Sequence, residues 1–155
     1  MTISVGDPAP DFSLAASNGE TISLRELRGS KVVLYFYPKD DTPGCTREAC
    51  SFRDHNSELT ASGVKVFGVS GDSVQSHRDF AEKFDLNFPL LSDESHQAID
   101  GYGVWGERQV RGNTVMGIRR MTFLIDEEGT IREIFPNVTP DQHAQEILEA
   151  VNNLK

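Results

Sequence analysis

The sequence predicts an α/β fold in which a mixed β-sheet is flanked by helices. Two continuous apolar runs, residues 31–37 and 64–69, are typical of central strands that are covered on both faces. Each run is followed by a segment with helical spacing, and this alternation builds a parallel sheet. A pair of extended segments joined by a turn lies towards each end of the chain, which adds antiparallel strands.

The first predicted element is a short β-hairpin formed by residues 11–14 and 20–23. The intervening Asn18-Gly19 pair supplies the positive φ angles that a tight turn needs. Residues 31–37 follow as the central strand, since this run is rich in β-branched and aromatic side chains.

The two helices of the N-terminal half have clear ends. The first is predicted over residues 45–62, where Gly63 is well placed to stop it. The strand at 64–69 leads to Ser73, which is suited to cap the second helix. A short extended piece at 88–91 then completes a β-α-β-α-β unit.

Residues 101–117 contain five glycines and Trp105, the only tryptophan, and they lack clear periodicity. We therefore predict a long functional loop there, in which Trp105 either packs against the domain or helps to form a partner surface. Residues 121–125 and 130–135 flank the turn-forming segment 126–129 and predict an antiparallel hairpin.

The last helix is predicted to begin with a capping box. Thr139 is the N-cap, Pro140 takes the first helical position and Gln142 lies three residues after the cap. No internal repeat or linker interrupts the chain. The elements together predict one thioredoxin-like α/β domain over residues 1–155, with an N-terminal β-hairpin.

The composition restricts the partners of the chain. Its 155 residues include 24 acidic and 15 basic ones, a formal net charge of −9, which disfavours nucleic acid and anionic membranes. No segment approaches about 18 apolar residues and the N-terminus has no charged and then apolar leader, so we expect a soluble, cytoplasmic protein. The four histidines form no ligand spacing with the cysteines, so we expect no metal and no other cofactor.

Cys45 and Cys50 are the only cysteines, and Cys45 lies at the junction of a predicted strand and a predicted helix. The free N–H groups and the dipole of a helix N-terminus stabilise a thiolate at such a position. Two cysteines this close in an otherwise cysteine-free chain do not make the disulfide framework of a secreted protein. We therefore predict a catalytic thiol in a reducing compartment.

Pro38, Thr42 and Cys45 form the spacing Pro-x-x-x-Thr-x-x-Cys, which resembles the active-site signature of peroxiredoxins. The longer string at 42–54 resembles the bacterioferritin comigratory protein, or PrxQ, subgroup, in which a second cysteine lies five positions after the first. The opening segment at 6–12 and the Arg-Met-Thr-Phe element that starts at Arg120 extend this resemblance to nearly the whole chain.

The resemblance implies a role for each of these residues. Cys45 would be the peroxidatic cysteine and Cys50 the resolving one. Thr42 and Arg120 would be the other active-site groups, and Pro38 would shield the pocket.

The activity implied by the resemblance is that of a thiol-dependent peroxidase. Hydrogen peroxide and organic hydroperoxides would oxidise Cys45 to a sulfenic acid, and a Cys45–Cys50 disulfide would follow. Thioredoxin or a similar dithiol would reduce this disulfide. A monomer is expected for this subgroup.

Physical chemistry adds a requirement for a fixed cation. A thiol with an ordinary pKa of about 8.5 is mostly protonated at pH 7, and lowering that value by about two units takes about 2.7 kcal/mol. A helix N-terminus supplies at most about 2 kcal/mol, so we expect Arg120 to supply the rest, held in place by Glu48 or Arg47. The Thr42 hydroxyl and the backbone N–H groups at Gly44 and at the cysteine would orient the peroxide.

The spacing of the two cysteines predicts a conformational change. Residues five apart on a helix are separated by about 7.5 Å along its axis and by about 140° around it, which is too far for a disulfide. We therefore expect residues 42–57 to unwind locally when Cys45 is oxidised.

Other interpretations stay open at this point. A thioredoxin-type disulfide oxidoreductase would share the fold, but it normally has two residues between its cysteines, and four intervene here. A non-catalytic redox sensor would oxidise once and would not turn over. Cys50 could also be a packed helical thiol, so that a partner thiol resolves the sulfenic acid, and Thr42 could serve as a helix cap.

Overall fold

The computed structural model describes residues 3–110, 112–136, 138 and 143–153. Within them the strands and α-helices follow one another in this order: β1 (Ser13–Ala16), β2 (Thr21–Ser23), β3 (Lys31–Phe36), α1 (Pro43–Ala61), β4 (Val64–Ser70), α2 (Val74–Lys83), β5 (Leu90–Ser92), α3 (Gln97–Gly101), β6 (Trp105–Val110), β7 (Asn113–Ile118), β8 (Met121–Ile125), β9 (Ile131–Phe135) and α4 (His143–Asn152).

Seven of these strands form one sheet, in the order β2-β1-β5-β4-β3-β8-β9. Strands β3, β4 and β5 run parallel to one another, whereas β1, β2, β8 and β9 are antiparallel to their neighbours. The predicted mixed sheet and the N-terminal hairpin are thus confirmed. The apolar run of β3 lies near the middle of the sheet, where its side chains are covered on both faces.

The side chains of β3 alternate between two cores, as the pleat of a strand requires. Val33 and Tyr35 face the side that holds α1, α2 and α4, while Val32 and Leu34 face the side that holds α3. The ring of Tyr35 stacks on Phe52 of α1 with 4.6 Å between ring centroids. Helices therefore cover both faces of the sheet, as predicted.

The topology brings distant parts of the chain to one edge of the sheet. The parallel strands β3 and β4 both end there, and such carboxyl ends are where open α/β sheets place their sites. Strand β8 begins beside the end of β3, because Met121 pairs with Phe36. Arg120, which precedes Met121, therefore lies next to the loop that joins β3 to α1.

The prediction of a long loop at 101–117 is wrong. Strands β6 and β7 form an antiparallel hairpin there, in which Trp105 pairs with Ile118 and Gly112 adopts a φ of +81° near the turn. The residues of β7 from Asn113 to Met116 are exposed, so no buried face imposes an alternating pattern on the sequence. Paired glycines, Gly106 and Gly117, weaken the strand signal further.

Smaller differences concern the first helix and two short helical segments. Helix α1 begins two residues earlier than predicted, at Pro43, with Thr42 as its N-cap residue. The short helix α3 and a 3-10 turn at Leu24–Leu27 were not predicted. The capping box predicted at Thr139, Pro140 and Gln142 lies outside the described residues, although α4 itself is present.

A membrane-spanning helix was not expected. In the described part of the chain, none of the helices is both long enough and apolar enough to cross a bilayer.

Candidate active site

Cys45 lies in the first turn of α1 and is buried, with 1% of its surface exposed. The first turn of a helix carries N–H groups that have no acceptor within the helix. Pro43 has no N–H, and Thr46 donates to the carbonyl of Thr42 at 2.8 Å, so the N–H groups at Gly44 and Cys45 are the ones left at this helix end.

The side chain of Thr42 does not cap these N–H groups. It makes no capping hydrogen bond, and its hydroxyl donates instead to the carbonyl of Lys39 at 3.2 Å. Thr42 is therefore the N-cap residue by its extended backbone only. The N–H groups of the first turn consequently stay available to a ligand beside the sulfur.

The guanidinium of Arg120 bridges the thiol and a carboxyl group. Its Nη2 donates to Cys45 Sγ at 3.0 Å, and its Nη1 donates to Glu48 Oε1 at 3.0 Å. The Arg120 side chain is 19% exposed, so this cation is largely shielded from water. The site thus places a positive charge directly against the sulfur.

Gly44 permits this arrangement by having no side chain. A β-carbon at this position would lie 2.7 Å from Arg120 Nη2, closer than carbon and nitrogen approach without a bond. Sequence reasoning assigned Gly44 only a backbone N–H. Its steric role depends on the path of Arg120 across the helix end, which the sequence does not reveal.

Glu48 is fully buried, and its second oxygen, Oε2, has no hydrogen-bond partner among the described residues. Burial raises the pKa of this carboxyl to about 8, although the charge and the hydrogen bond of Arg120 pull it in the opposite direction. The carbonyl oxygen of a neutral carboxyl still accepts a hydrogen bond. A protonated Glu48 thus holds the guanidinium in place and leaves its positive charge to Cys45.

The two cysteines are not brought together. Both are free thiols on α1, where Cys45 is buried and Cys50 is half-buried. The intact helix separates them in the way that the five-residue spacing predicts. Pro38 is half-buried in the loop between β3 and α1, close in the chain to Thr42.

A second polar cluster lies under the same loop, and sequence reasoning missed it. Among the described residues, Asp40, Asp72 and His77 place potential metal-ligand atoms within 4.8 Å of one another. Both carboxylate oxygens of Asp40, both ring nitrogens of His77 and Asp72 Oδ2 already make hydrogen bonds within the protein; the Ser70 hydroxyl, for example, donates to Asp72 Oδ2 at 2.7 Å. We therefore assign these residues to a hydrogen-bond network and not to a metal centre.

Comparisons with known proteins find similar chains in bacteria and similar solved structures. The model of the AhpC/TSA family matches residues 5–134. A protein of Coxiella burnetii is 51% identical over 148 residues, which cover 96% of this chain and 98% of its own. Peroxiredoxin Bcp of Escherichia coli is 46% identical over 146 residues, or 94% of each chain.

A solved structure of the Xanthomonas campestris bacterioferritin comigratory protein, studied for its alkyl peroxide reduction activity, superimposes with a TM-score of 0.85 at 38% identity. The match covers 91% of this chain and 90% of the other. It confirms the predicted thioredoxin-like fold.

The pH dependence of folding should reveal the buried Glu48. The pKa of this carboxyl rises from an ordinary 4.5 to about 8 on folding, so the native state keeps a proton that the unfolded chain releases. The contribution of Glu48 to the free energy of unfolding is therefore greatest below pH 4.5 and is lost as the pH rises to about 8. Glu48→Gln removes this dependence, so the stability of the variant relative to the native chain should rise by more than about 1 kcal/mol between pH 5 and pH 9.

Urea unfolding at pH 5, 7 and 9 measures this difference. Glu58→Gln, on the exposed face of the same helix, controls for the loss of one negative charge. A Glu48→Gln difference that is the same at all three pH values would contradict the buried neutral carboxyl.

Proposed function

The chain belongs to the AhpC/TSA family, within the bacterioferritin comigratory protein (PrxQ) group of peroxiredoxins, and we propose that Cys45 is the residue that its hydroperoxide substrate oxidises. Membership of this family makes the chain a thiol-dependent peroxidase. The contact between Arg120 and Cys45 Sγ, at the N-terminus of α1, is the observation that carries the assignment. The thiol, the cation and the free N–H groups converge at this one place.

The first step is a displacement on oxygen. The Cys45 thiolate attacks the terminal oxygen of the hydroperoxide, an S–O bond forms and the O–O bond breaks. Cys45 becomes a sulfenic acid, and the leaving oxygen takes up a proton to depart as water or an alcohol. The Thr42 hydroxyl and the N–H groups at Gly44 and Cys45 orient the peroxide, while Arg120 stabilises the charge that develops on the leaving oxygen.

The second step forms a disulfide within the chain. The Cys50 thiol attacks the sulfenic sulfur of Cys45, an S–S bond forms and water leaves. This step requires α1 to unwind, because the helix holds the two thiols apart. Thioredoxin or a similar dithiol then reduces the disulfide and is itself oxidised, which returns both cysteines to thiols.

Several finer statements belong to the same proposal. The alkyl peroxide reduction of the Xanthomonas relative supports organic hydroperoxides as substrates beside hydrogen peroxide. The net charge of −9 argues against nucleic acid and anionic membranes as partners. We further infer that the protein is a cytoplasmic monomer. We also infer that residues 1–155 form one domain, since a single sheet contains strands from Ser13 to Phe135.

The non-catalytic redox sensor considered above would use the same two thiols. A sensor would be oxidised once and wait for a partner, whereas a peroxidase turns over with its reductant. Sustained turnover therefore distinguishes the two.

The roles of the two cysteines can be separated by mass. A small excess of hydroperoxide should convert the native chain into a species lighter by two hydrogens, the intramolecular disulfide. Cys50→Ser should stop at a sulfenic acid and Cys45→Ser should stay reduced, because only Cys45 lies against Arg120. Rapid quenching and intact-mass analysis, with and without a thioredoxin system, measure these products.

A Cys45→Ser variant that oxidises as fast as the native chain would refute the assignment of the peroxidatic residue. Oxidation of the native chain without turnover in the presence of reductant would favour the sensor.

Removing the cation should slow the first step. Arg120→Met keeps a side chain of similar length and loses the charge, so we expect oxidation of Cys45 to slow by about 100-fold, in the range that mutation of one such electrostatic donor costs. Arg119→Met is the matched control, since Arg119 contacts the carbonyl of Gly103 at 2.8 Å and not the thiol. Stopped-flow kinetics at pH 7 measure the rate of Cys45 oxidation in each variant. An unchanged rate in Arg120→Met would remove Arg120 from the mechanism.

Local unwinding should be visible in amide exchange. Oxidation to the disulfide should increase the exchange of amides in residues 42–57, because hydrogen bonds of α1 must open, while helix α2 (Val74–Lys83) keeps its protection. Cys50→Ser treated in the same way should show no such increase. Hydrogen–deuterium exchange with mass detection measures both, and unchanged protection of α1 in the disulfide form would rule out the unwinding.

A further inference from the structure

His77 and Asp40 form a buried pair that the mechanism above does not use. His77 lies on α2 and its side chain is fully buried, while the Asp40 side chain, in the loop between β3 and α1, is 4% exposed. His77 Nδ1 and Asp40 Oδ2 are 2.7 Å apart. The pair therefore joins the loop that precedes Cys45 to a different helix.

The hydrogen bonds on the two sides of the imidazole determine where its protons lie. His77 Nε2 faces the carbonyl oxygen of Leu91 at 2.9 Å, and a carbonyl only accepts, so Nε2 donates. A proton must then lie between Nδ1 and Asp40 Oδ2, because two lone pairs would repel each other at this distance. The contact is thus a directed hydrogen bond at a buried site, where water does not compete for it.

Asp40 is held from three further directions. The Tyr37 hydroxyl donates to its Oδ1 at 2.6 Å, and the Ser76 hydroxyl donates to its Oδ2 at 2.8 Å. The backbone N–H of Asp40 donates to Asp72 Oδ2 at 2.8 Å. Its backbone and its carboxylate are consequently both fixed to the end of β4 and to α2.

The next residue of the loop is fixed to the same helix. Asp41 has a φ of +59°, which few residues other than glycine adopt, and its carboxylate accepts a hydrogen bond from Lys83 Nζ at 2.7 Å. The loop thus enters α1 in a strained conformation that its contacts with α2 maintain.

Asp40, which these contacts hold in place, is close in sequence to the residues that would contact the peroxide. Asp40 lies two residues before Thr42 and five before Cys45. The guanidinium fits against Gly44 with so little space that a single added carbon would displace it. Since Gly44 lies directly against the guanidinium, a movement of the loop would also change the contact between Arg120 and Cys45.

We propose that His77 is a positioning residue for peroxide reduction, because its hydrogen bond to Asp40 holds the loop that places Thr42 and the first turn of α1 against Arg120. The inference rests on the proposed function of Cys45 as the residue that peroxide oxidises. His77 acts through Asp40 and touches neither the thiol nor the peroxide.

Two substitutions of similar size separate the two hydrogen bonds of His77. The amide nitrogen of His77→Asn takes the place of Nδ1 and can donate to Asp40, but it leaves the Leu91 carbonyl without its donor. The amide of His77→Gln reaches the Leu91 carbonyl and leaves Asp40 without the histidine. Each variant therefore keeps one buried hydrogen bond and loses the other.

The rate of Cys45 oxidation by hydrogen peroxide, from rapid-quench intact mass, is the main readout, with thermal unfolding of each variant beside it. His77→Gln should be oxidised at least about ten-fold more slowly than the native chain, and His77→Asn should stay within about three-fold of it. Equal rates in the two variants, whether fast or slow, would overturn the inference, since a purely structural role predicts slowing in step with lost stability.

Asp40→Ala keeps the test decisive if a His77 variant does not fold. It removes the same contact from the loop side, so it should be slowed by about ten-fold or more, and the double variant Asp40→Ala/His77→Gln should be no slower than the slower single variant. Oxidation of Asp40→Ala at the native rate would overturn the inference. A native chain that peroxide does not oxidise at Cys45 would instead refute the proposed function itself, and the inference with it.

Discussion

The active site depends on one cation that is held between a sulfur and a carboxyl group. Arg120 can favour a thiolate only if its charge is not already cancelled, and a buried carboxylate at 3.0 Å would cancel most of it. Burial resolves this conflict, because it raises the pKa of Glu48 to about 8. The apolar core around α1 thus contributes to the electrostatics of the site as directly as the arginine does.

The fold delivers this cation through strand pairing. Arg120 lies at the entry to β8, and the register that sets Met121 opposite Phe36 brings it to the loop in front of Cys45. Helix α1 arrives from the other side, held on the sheet by Phe52 and Tyr35. The site therefore needs both the antiparallel and the parallel parts of the mixed sheet.

Much of this architecture could be predicted from local sequence. A few adjacent residues are enough to predict strand β3 and the Asn18-Gly19 turn. The same is true of the position of Cys45 at the start of a helix. The β6–β7 hairpin gave no such signal, since the residues of β7 from Asn113 to Met116 are exposed and no buried face patterns them. The neutral state of Glu48 and the His77–Asp40 pair depend on which elements meet in space, and single-sequence patterns do not encode that.

The placement of both cysteines on one helix also affects how long an oxidised Cys45 would persist. On the proposed mechanism, the sulfenic acid at Cys45 persists until α1 opens, and a second peroxide that arrives in that interval would oxidise the sulfur to the sulfinic acid, which thiols do not reduce. Unwinding that reached Phe52 would have to break its stacking on Tyr35, which would lengthen this interval. On the proposed mechanism, the packing that holds the site in shape for the first peroxide would thereby also influence the peroxide concentration at which the protein becomes overoxidised.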